Sequence, residues 1–205
     1  RLNYGWGSFS DWIPISGLTI QAAERNLIDL EDLNGDSISD VVIVTADQVK
    51  YALNRNGSRF DDFQVLNSSS LGFSLPEKKD GVKVLYVDMN ANGSQDIVWI
   101  DGGSSSVQYL ALFPTRPNLL TRIDNGIGST QRSTYGTAAE HRARSEATGT
   151  PWEMALSIPM NVVDTVDRYV ALTGNDDGTG LHEVERYAYR NGINYSDEKQ
   201  YRGIK

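Results

Sequence analysis

Short apolar runs separated by turn residues dominate the sequence. The clearest are the runs at 41–44 and 97–100, each four residues long and each preceded by a stretch rich in Asp, Asn, Gly and Ser. Runs of this length, rich in Val and Ile, predict buried strands. Stretches at 48–53, 60–66 and 107–113 predict the strands that return beside them. The pattern therefore predicts an all-β protein with antiparallel sheets.

The two main runs belong to an internal repeat. Residues 27–45 read LIDLEDLNGDSISDVVIVT, and residues 83–101 read KVLYVDMNANGSQDIVWID. Each contains an apolar run, the pattern D-x-N-x-[DN]-x-x-x-D and a second apolar run. Asp88 follows Asp32 by 56 residues, and Asp96 follows Asp40 by the same distance. A repeat of this length indicates an architecture built from similar units.

The spacing of the polar residues is typical of a calcium loop. Alternate residues of a tight loop direct oxygen atoms at one centre, and calcium takes six to eight oxygens in proteins. The flanks are strand-like, and the Glu at the twelfth position of an EF-hand is absent. The predicted ligands in loop one are Asp32, Asn34, Asp36, the carbonyl of Ile38 and Asp40; those in loop two are Asp88, Asn90, Asn92, the carbonyl of Ser94 and Asp96.

A second interpretation of the two loops stays open. Asx-rich turns also form without metal, because their side-chain oxygens accept hydrogen bonds from backbone N–H groups. Loop two has one carboxylate fewer than loop one, so the expectation of Ca²⁺ is weaker there. A calcium ion in either loop is expected to stabilise the fold and not to take part in catalysis.

Composition narrows the classes of function. The 205 residues carry 19 basic and 27 acidic side chains, a net charge of −8, and no cysteine. The absence of cysteine excludes disulfides, Cys-ligated zinc and thiol catalysis. An acidic chain argues against non-specific binding to nucleic acid. No apolar run approaches the roughly 20 residues of a membrane span.

The second half of the chain lacks the aspartate-rich loop. Pro114 and Pro117 mark the boundary, which predicts one domain at 1–116 and another at 117–205. The glycines Gly126 and Gly128 favour a turn between strands at 119–124 and 129–135 over a nucleotide loop. Residues 138–148 suit either a short helix or a polar loop. Strands are predicted at 160–173 and 183–190, joined by a turn at 175–180.

An enzymatic function has little support in the sequence. The two histidines, His141 and His182, lie in polar stretches and are expected to be solvated, and no G-x-S-x-G motif is present. A hydrolase on a β-scaffold is therefore the third hypothesis. A cleft that places either histidine beside a carboxylate would favour it.

Residues 27–113 resemble FG-GAP/VCBS repeats, the calcium-loop blades of integrin-type β-propellers. The resemblance rests on the two loops and on the N-x-G…F pattern of Asn56, Gly57 and Phe60. It implies propeller blades. Because propellers have four to eight blades, two blades are expected to be part of a larger ring.

Residues 117–205 resemble the SpvB and toxin-complex B-component (TcB-like) toxins, which are associated with RHS repeats. The shared motifs are NLLTRIDNGIGS from 118, GTPW at 149–152, SIPMNVVDTVD at 157–167, YAYRNG at 187–192 and YRGI at 201–204. Ile204 stands where the family usually has Phe.

The toxin resemblance implies a secreted, non-enzymatic structural segment. Its propeller would dock onto a pore-forming component, and its β-rich region would begin the RHS-type shell around the toxic C-terminal part. The expected partners are other segments or subunits of the toxin complex. The alternative is a calcium-stabilised adhesive or cell-surface fragment that binds protein or glycan.

Overall fold

The computed structural model describes residues 1–153, 158–170, 180–191, 193–195 and 200–203, the last two ranges as backbone alone. Antiparallel open sheets make up most of its regular structure, with few helices. The prediction of an all-β protein is confirmed. The chain divides into two compact units: residues 1–87 with 95–112, and residues 88–94 with 113–205.

The first unit contains the strands of both repeats, whereas residues 88–94 of the second repeat group with the second unit. Its elements are β1 (Asn3–Gly5), β2 (Ser8–Phe9), a 3-10 helix (Ala22–Leu27), β3 (Ile28–Glu31), β4 (Asp40–Val44), β5 (Gln48–Ala52), β6 (Asn54–Arg55), β7 (Arg59–Phe60), β8 (Gln64–Asn67), α1 (Ser68–Leu71), β9 (Val82–Val87), β10 (Asp96–Asp101) and β11 (Ser106–Leu110).

The first repeat forms a four-stranded sheet in the order β3-β4-β5-β8. All five residues of β4 are buried. Val41 and Ile43 pack with Ala52 and Phe60 on one face of the sheet. Burying each Val or Ile side chain stabilises the fold by about 1.5–3 kcal/mol, so β4 is the centre of this core.

The predicted return strand at 60–66 is two separate strands. β7 ends at Phe60 and forms a hairpin with β6, whereas β8 begins at Gln64 and pairs with β5. The β6–β7 hairpin is fastened by residues nearer the N-terminus, because the Phe60 N–H donates to the Ser16 carbonyl at 2.8 Å. A Cβ on Gly17 would lie 2.2 Å from the Phe60 carbonyl oxygen. Only glycine allows this close approach.

The second repeat forms a sheet of three strands, β9-β10-β11. Ile97, Val98 and Trp99 of β10 are buried, as their counterparts in β4 are. Two hydrogen bonds join this repeat to the first. The Tyr86 hydroxyl donates to Asp29 at 2.8 Å, and the Gln95 N–H donates to the Leu33 carbonyl at 3.2 Å.

The second unit contains the remaining elements. They are β12 (Arg122–Asp124), β13 (Ser129–Thr137), α2 (Ala138–Ala147), β14 (Asn161–Val170), β15 (Leu181–Arg186), β16 (Ile193–Tyr195) and β17 (Gln200–Gly203). The main sheet has the order β12-β13-β14-β15, and β16 pairs with β17.

Several features predicted for the second half are present. The β12–β13 hairpin forms around the predicted glycine turn. Residues 138–147 are helical, because Thr137 and Glu140 form a capping box that satisfies the N-terminal amide groups. β15 ends at Arg186, short of the predicted 190. The predicted turn lies outside the described residues except for Gly180, as does the end of the predicted strand at 171–173.

Candidate functional site

Loop one, residues 32–40, is organised by its own side chains. The Asp36 N–H donates to Asp32 Oδ1 at 3.0 Å and to Asn34 Oδ1 at 2.8 Å. The Ser37 N–H donates to Asp32 Oδ2 at 2.8 Å, and the Ile38 N–H donates to Asp36 Oδ1 at 2.9 Å. The side chains of Asp32, Asn34 and Asp36 therefore each accept a backbone hydrogen bond, which is the Asx-turn geometry of the alternative interpretation.

Loop two, residues 88–96, repeats this pattern. The Asn92 N–H donates to Asp88 Oδ1 and to Asn90 Oδ1, both at 3.1 Å. The Gly93 N–H donates to Asp88 Oδ2 at 2.9 Å, and the Ser94 N–H donates to Asn92 Oδ1 at 2.8 Å. The sequence repeat is therefore also a repeat of hydrogen bonds.

The backbones of the two loops turn at the same positions. Gly35 and Ala91 have positive φ values of 75° and 58°, and Ser37 and Gly93 have values of 70° and 85°. The left-handed conformation costs a residue with a side chain more than it costs glycine. Each loop accepts that cost at one position and uses glycine at the other, in opposite order.

The last aspartate of each loop begins a central strand. Asp40 starts β4 and Asp96 starts β10, and both side chains are fully buried. Asp40 Oδ2 accepts the Leu33 N–H at 3.1 Å, and Oδ1 accepts the Asn54 N–H at 2.8 Å. Burial raises the pKa of Asp40 to about 6 despite these bonds, with a further contribution from the charges of Asp36 and Asp32.

The chemistry of loop one suits a cation. Its donor set is three carboxylates, one amide and one backbone carbonyl. Burial is the main cause of the raised pKa of Asp40, and the nearby charges of Asp36 and Asp32 add to it. Calcium prefers such all-oxygen sets. Across the described ranges, however, no group of three or more His, Asp or Glu side chains is arranged to hold a metal ion. The carboxylates would have to turn from their backbone partners toward a bound ion.

Loop two differs from loop one at the residue that corresponds to Asp36. Asn92 is 1% exposed, and its Nδ2 donates to the carbonyls of Phe113 at 2.7 Å and Pro114 at 3.2 Å. The residue pattern does not predict these bonds, since their acceptors are backbone atoms about twenty residues away. Calcium binding in loop two stays a prediction.

The expectation that His141 is solvated is wrong. His141 lies on the buried face of α2 and is 3% exposed. Its ring meets Tyr189 edge to face at 5.3 Å, and Nε2 lies 3.4 Å from Asp164 Oδ1. Burial lowers the pKa of His141, and the charge of Arg144 lowers it further. The spacing of three from Ala138, the other buried residue of α2, could have indicated this inward position.

Each histidine lies beside a carboxylate. His141 is buried, whereas the side chain of its neighbour Asp164 is 36% exposed. The exposed His182 has its Nε2 3.6 Å from Asp167 Oδ1. The hydrolase hypothesis asks for such a pair in a cleft, and it stays a hypothesis. His182 is exposed, as predicted, and stacks on Tyr169 with ring centroids 4.2 Å apart.

Two family descriptions match the chain. The FG-GAP-like repeat matches residues 32–99, and the insecticide toxin TcdB middle/N-terminal region matches residues 68–205. The second match covers more than half of the chain. The chain belongs to the insecticide toxin TcdB middle/N-terminal family. The predicted FG-GAP repeats and the predicted relationship to toxin complexes are thereby confirmed.

Solved toxin-complex structures share the fold of this TcdB-family chain. The crystal structure of TcdB2-TccC3 aligns with a TM-score of 0.73 and 19% identity, over 93% of this chain and 9% of that chain. A Photorhabdus luminescens Tc holotoxin pore aligns with a TM-score of 0.71 and 18% identity, over 92% of this chain and 8% of that chain. The chain therefore spans about a tenth of these much longer proteins.

Two comparisons remain, one with curated proteins and one with the features of a membrane-spanning helix. No curated protein matches it. Among the residues that the structure describes, no helix has both the length and the apolar character needed to cross a membrane.

Proposed function

We propose that the chain is a non-enzymatic structural segment of a secreted Tc-type toxin. The observation that carries the proposal is the TcdB middle/N-terminal match over residues 68–205. The fold shared with TcdB2-TccC3 over 93% of the chain supports it.

The proposed segment has two parts. The aspartate-loop repeats within 1–116 contribute blades to a β-propeller that docks onto a pore-forming component. The sheet region within 117–205 begins an RHS-type shell around the toxic C-terminal part. The similar structures are a TcdB2-TccC3 complex and a Tc holotoxin pore, and we propose a TccC3-type subunit and a pore-forming subunit as partners of this chain.

Binding measurements test this role. The chain, immobilised for biolayer interferometry, should bind a purified Tc pore-forming subunit or a TccC3-type subunit saturably, and soluble TcdB2-TccC3 complex should compete. An integrin-type FG-GAP domain is the matched control and should bind neither subunit. Absence of binding to both subunits, by a chain whose circular dichroism shows it to be folded, would refute the proposed docking role.

We also propose that loop one holds a structural Ca²⁺ ion, with Asp32, Asn34, Asp36, the Ile38 carbonyl and Asp40 as ligands. The support is the all-oxygen donor set and the full burial of the Asp40 carboxylate, whose charge lies near those of Asp32 and Asp36. The ion would neutralise that charge and fix the loop that leads into β4. It has no role in a chemical step.

Calcium should therefore raise the melting temperature. A ligand at 100 times its Kd stabilises the folded state by about 2.7 kcal/mol. Asp32→Ala is expected to remove most of the gain measured by differential scanning fluorimetry in calcium against EDTA. Asp47→Ala removes the same charge from an exposed turn outside the loop and should keep the gain. Identical wild-type curves in calcium and EDTA would exclude the site.

A further inference from the structure

We propose that loop two is a calcium-independent clasp, in which the Asn92 side chain fastens the loop to the chain that follows β11. Both ends of this clasp lie in the second unit, because residues 88–94 group with residues 113–205. The inference goes beyond the proposed function and does not depend on calcium in loop one.

The Asn92 amide has no bonding capacity left. A side-chain amide has two N–H donors and two lone pairs on its oxygen. The donors go to the Phe113 and Pro114 carbonyls. The oxygen accepts the Ser94 N–H at 2.8 Å and lies 2.6 Å from Ser94 Oγ. Ser94 is also 1% exposed, so water does not compete for these bonds.

The orientation of the amide follows from its neighbours. Carbonyl oxygens only accept, so the NH₂ group must face Phe113 and Pro114, and the oxygen must face the Ser94 N–H. An aspartate at this position could not donate to the two carbonyls and would place a charge against them. Loop one has Asp36 at the equivalent place, and Asp36 makes no such bond to a distant carbonyl.

Two other side chains reinforce the clasp. Asn161 of β14 donates from Nδ2 to the Asn92 carbonyl at 2.5 Å. The Arg116 guanidinium packs on Gly93, where a Cβ would lie 3.2 Å from Nη1. A positive charge packed on the loop opposes the binding of a cation there.

These contacts disagree with calcium in loop two. A calcium ion there would need the Asn92 oxygen, and it would have to displace the hydrogen bonds from Ser94. The sequence of the loop offers only two carboxylates in return, Asp88 and Asp96, and the Arg116 guanidinium packs on Gly93. The hydrogen-bonded state therefore needs no ion.

A pair of variants tests the clasp in EDTA. Asn92→Asp removes both donors and adds a negative charge. Asn90→Asp adds the same charge in the same loop but keeps the oxygen that accepts the Asn92 N–H. A loss of two buried hydrogen bonds predicts a melting temperature lower by about 4–8 °C for Asn92→Asp. Asn90→Asp should shift it by less than about 2 °C.

Three results decide the matter. Equal melting temperatures for the two variants would overturn the clasp. If Asn92→Asp does not fold, Asn161→Ala replaces it, with an expected loss of about 2–4 °C that Asn90→Asp does not share. A calcium-dependent shift that persists in Asp32→Ala and disappears on adding Asp88→Ala would show that loop two binds calcium, and would refute calcium independence whatever loop one does.

Discussion

Loop one and loop two have the same backbone turns and the same four hydrogen bonds from backbone N–H groups to side chains. Their fifth residues, Asp36 and Asn92, nevertheless have different partners. Asp36 stays within its own loop. Asn92 reaches the Phe113 and Pro114 carbonyls. One change, from a carboxylate to an amide, turns an acceptor into a donor. Two repeats can therefore share a backbone conformation while the side chains at one equivalent position form different hydrogen bonds.

The comparison also concerns charge. Loop one collects three carboxylates, and one of them, Asp40, is buried and has its pKa raised to about 6, mainly by burial. Loop two has two carboxylates and a guanidinium packed on Gly93. We propose that the first arrangement binds a cation and that the second does not need one. Substitutions in the two loops should therefore have different consequences.

The largest effect is expected at Asp40. Asp40→Ala leaves the buried N–H groups of Leu33 and Asn54 without their acceptor. Each unsatisfied buried donor costs about 1–3 kcal/mol, so the free energy of unfolding in urea should fall by roughly 2–5 kcal/mol in EDTA. Asp36→Ala, whose side chain is half-buried, should lose clearly less. Equal losses would mean that loop one is not anchored at Asp40.

A smaller effect is expected at Ser94. Ser94→Ala removes the hydroxyl that lies 2.6 Å from Asn92 Oδ1 and 3.1 Å from the Phe113 carbonyl. One net hydrogen bond contributes about 0.5–1.5 kcal/mol, and the free energy of unfolding should fall by that amount. The residue at the equivalent position of loop one is Ile38, so its replacement by Ala is the matched control and should not alter any loop hydrogen bond. If Ser94→Ala leaves the free energy of unfolding unchanged, the stability of the clasp comes from the hydrogen bonds that Asn92 donates.

The smallest effect on stability is expected when the pH is lowered. It arises in the second unit, which contains His141. The folded pKa of His141 is lowered below 6.5, the ordinary value. As pH falls through 6.5, the unfolded chain takes up a proton that folded His141 does not, so stability decreases until the folded pKa is reached. The His141 contribution to the slope cannot exceed about 1.4 kcal/mol per pH unit.

Urea unfolding from pH 7.5 to 5 measures this contribution. His141→Gln should reduce the slope, because it removes the group that titrates among Glu140, Arg144, Asp164 and Tyr189. His182→Gln changes the exposed histidine and should leave the slope unchanged. A slope that is the same in all three proteins would assign the acid response to other groups.

The sequence predicted the parts of the fold that depend on local pattern. The β-branched run at 41–44 and the run at 97–100 became the two buried central strands, because apolar runs of four between turns have few other solutions. The split between β7 and β8 was missed, since it depends on a backbone hydrogen bond to Ser16. Whether 138–148 is helical was left open because its apolar pattern is weak. The capping box at Thr137 and Glu140 decides it.

The candidate site was predictable only in part. The D-x-N-x-[DN] spacing indicates the loop and its internal acceptors, because those bonds span two to five residues. The partners of Asn92 are the backbone carbonyls of Phe113 and Pro114. Every residue has a backbone carbonyl, so the sequence does not show which ones accept these hydrogen bonds. His141 was misjudged because its neighbours in the chain are charged, whereas its neighbours in space are Tyr189 and the sheet.

The three-stranded second sheet has a consequence for dissecting this protein. β8 completes the first sheet, whereas β12, the next strand after β11, pairs with β13. A truncation after residue 112, at the end of the second repeat, would keep every strand of both repeats and still remove the carbonyls that hold Asn92. Gene fragments designed on repeat boundaries would therefore separate loop two from the residues that complete it, and a cut after residue 117 would retain them.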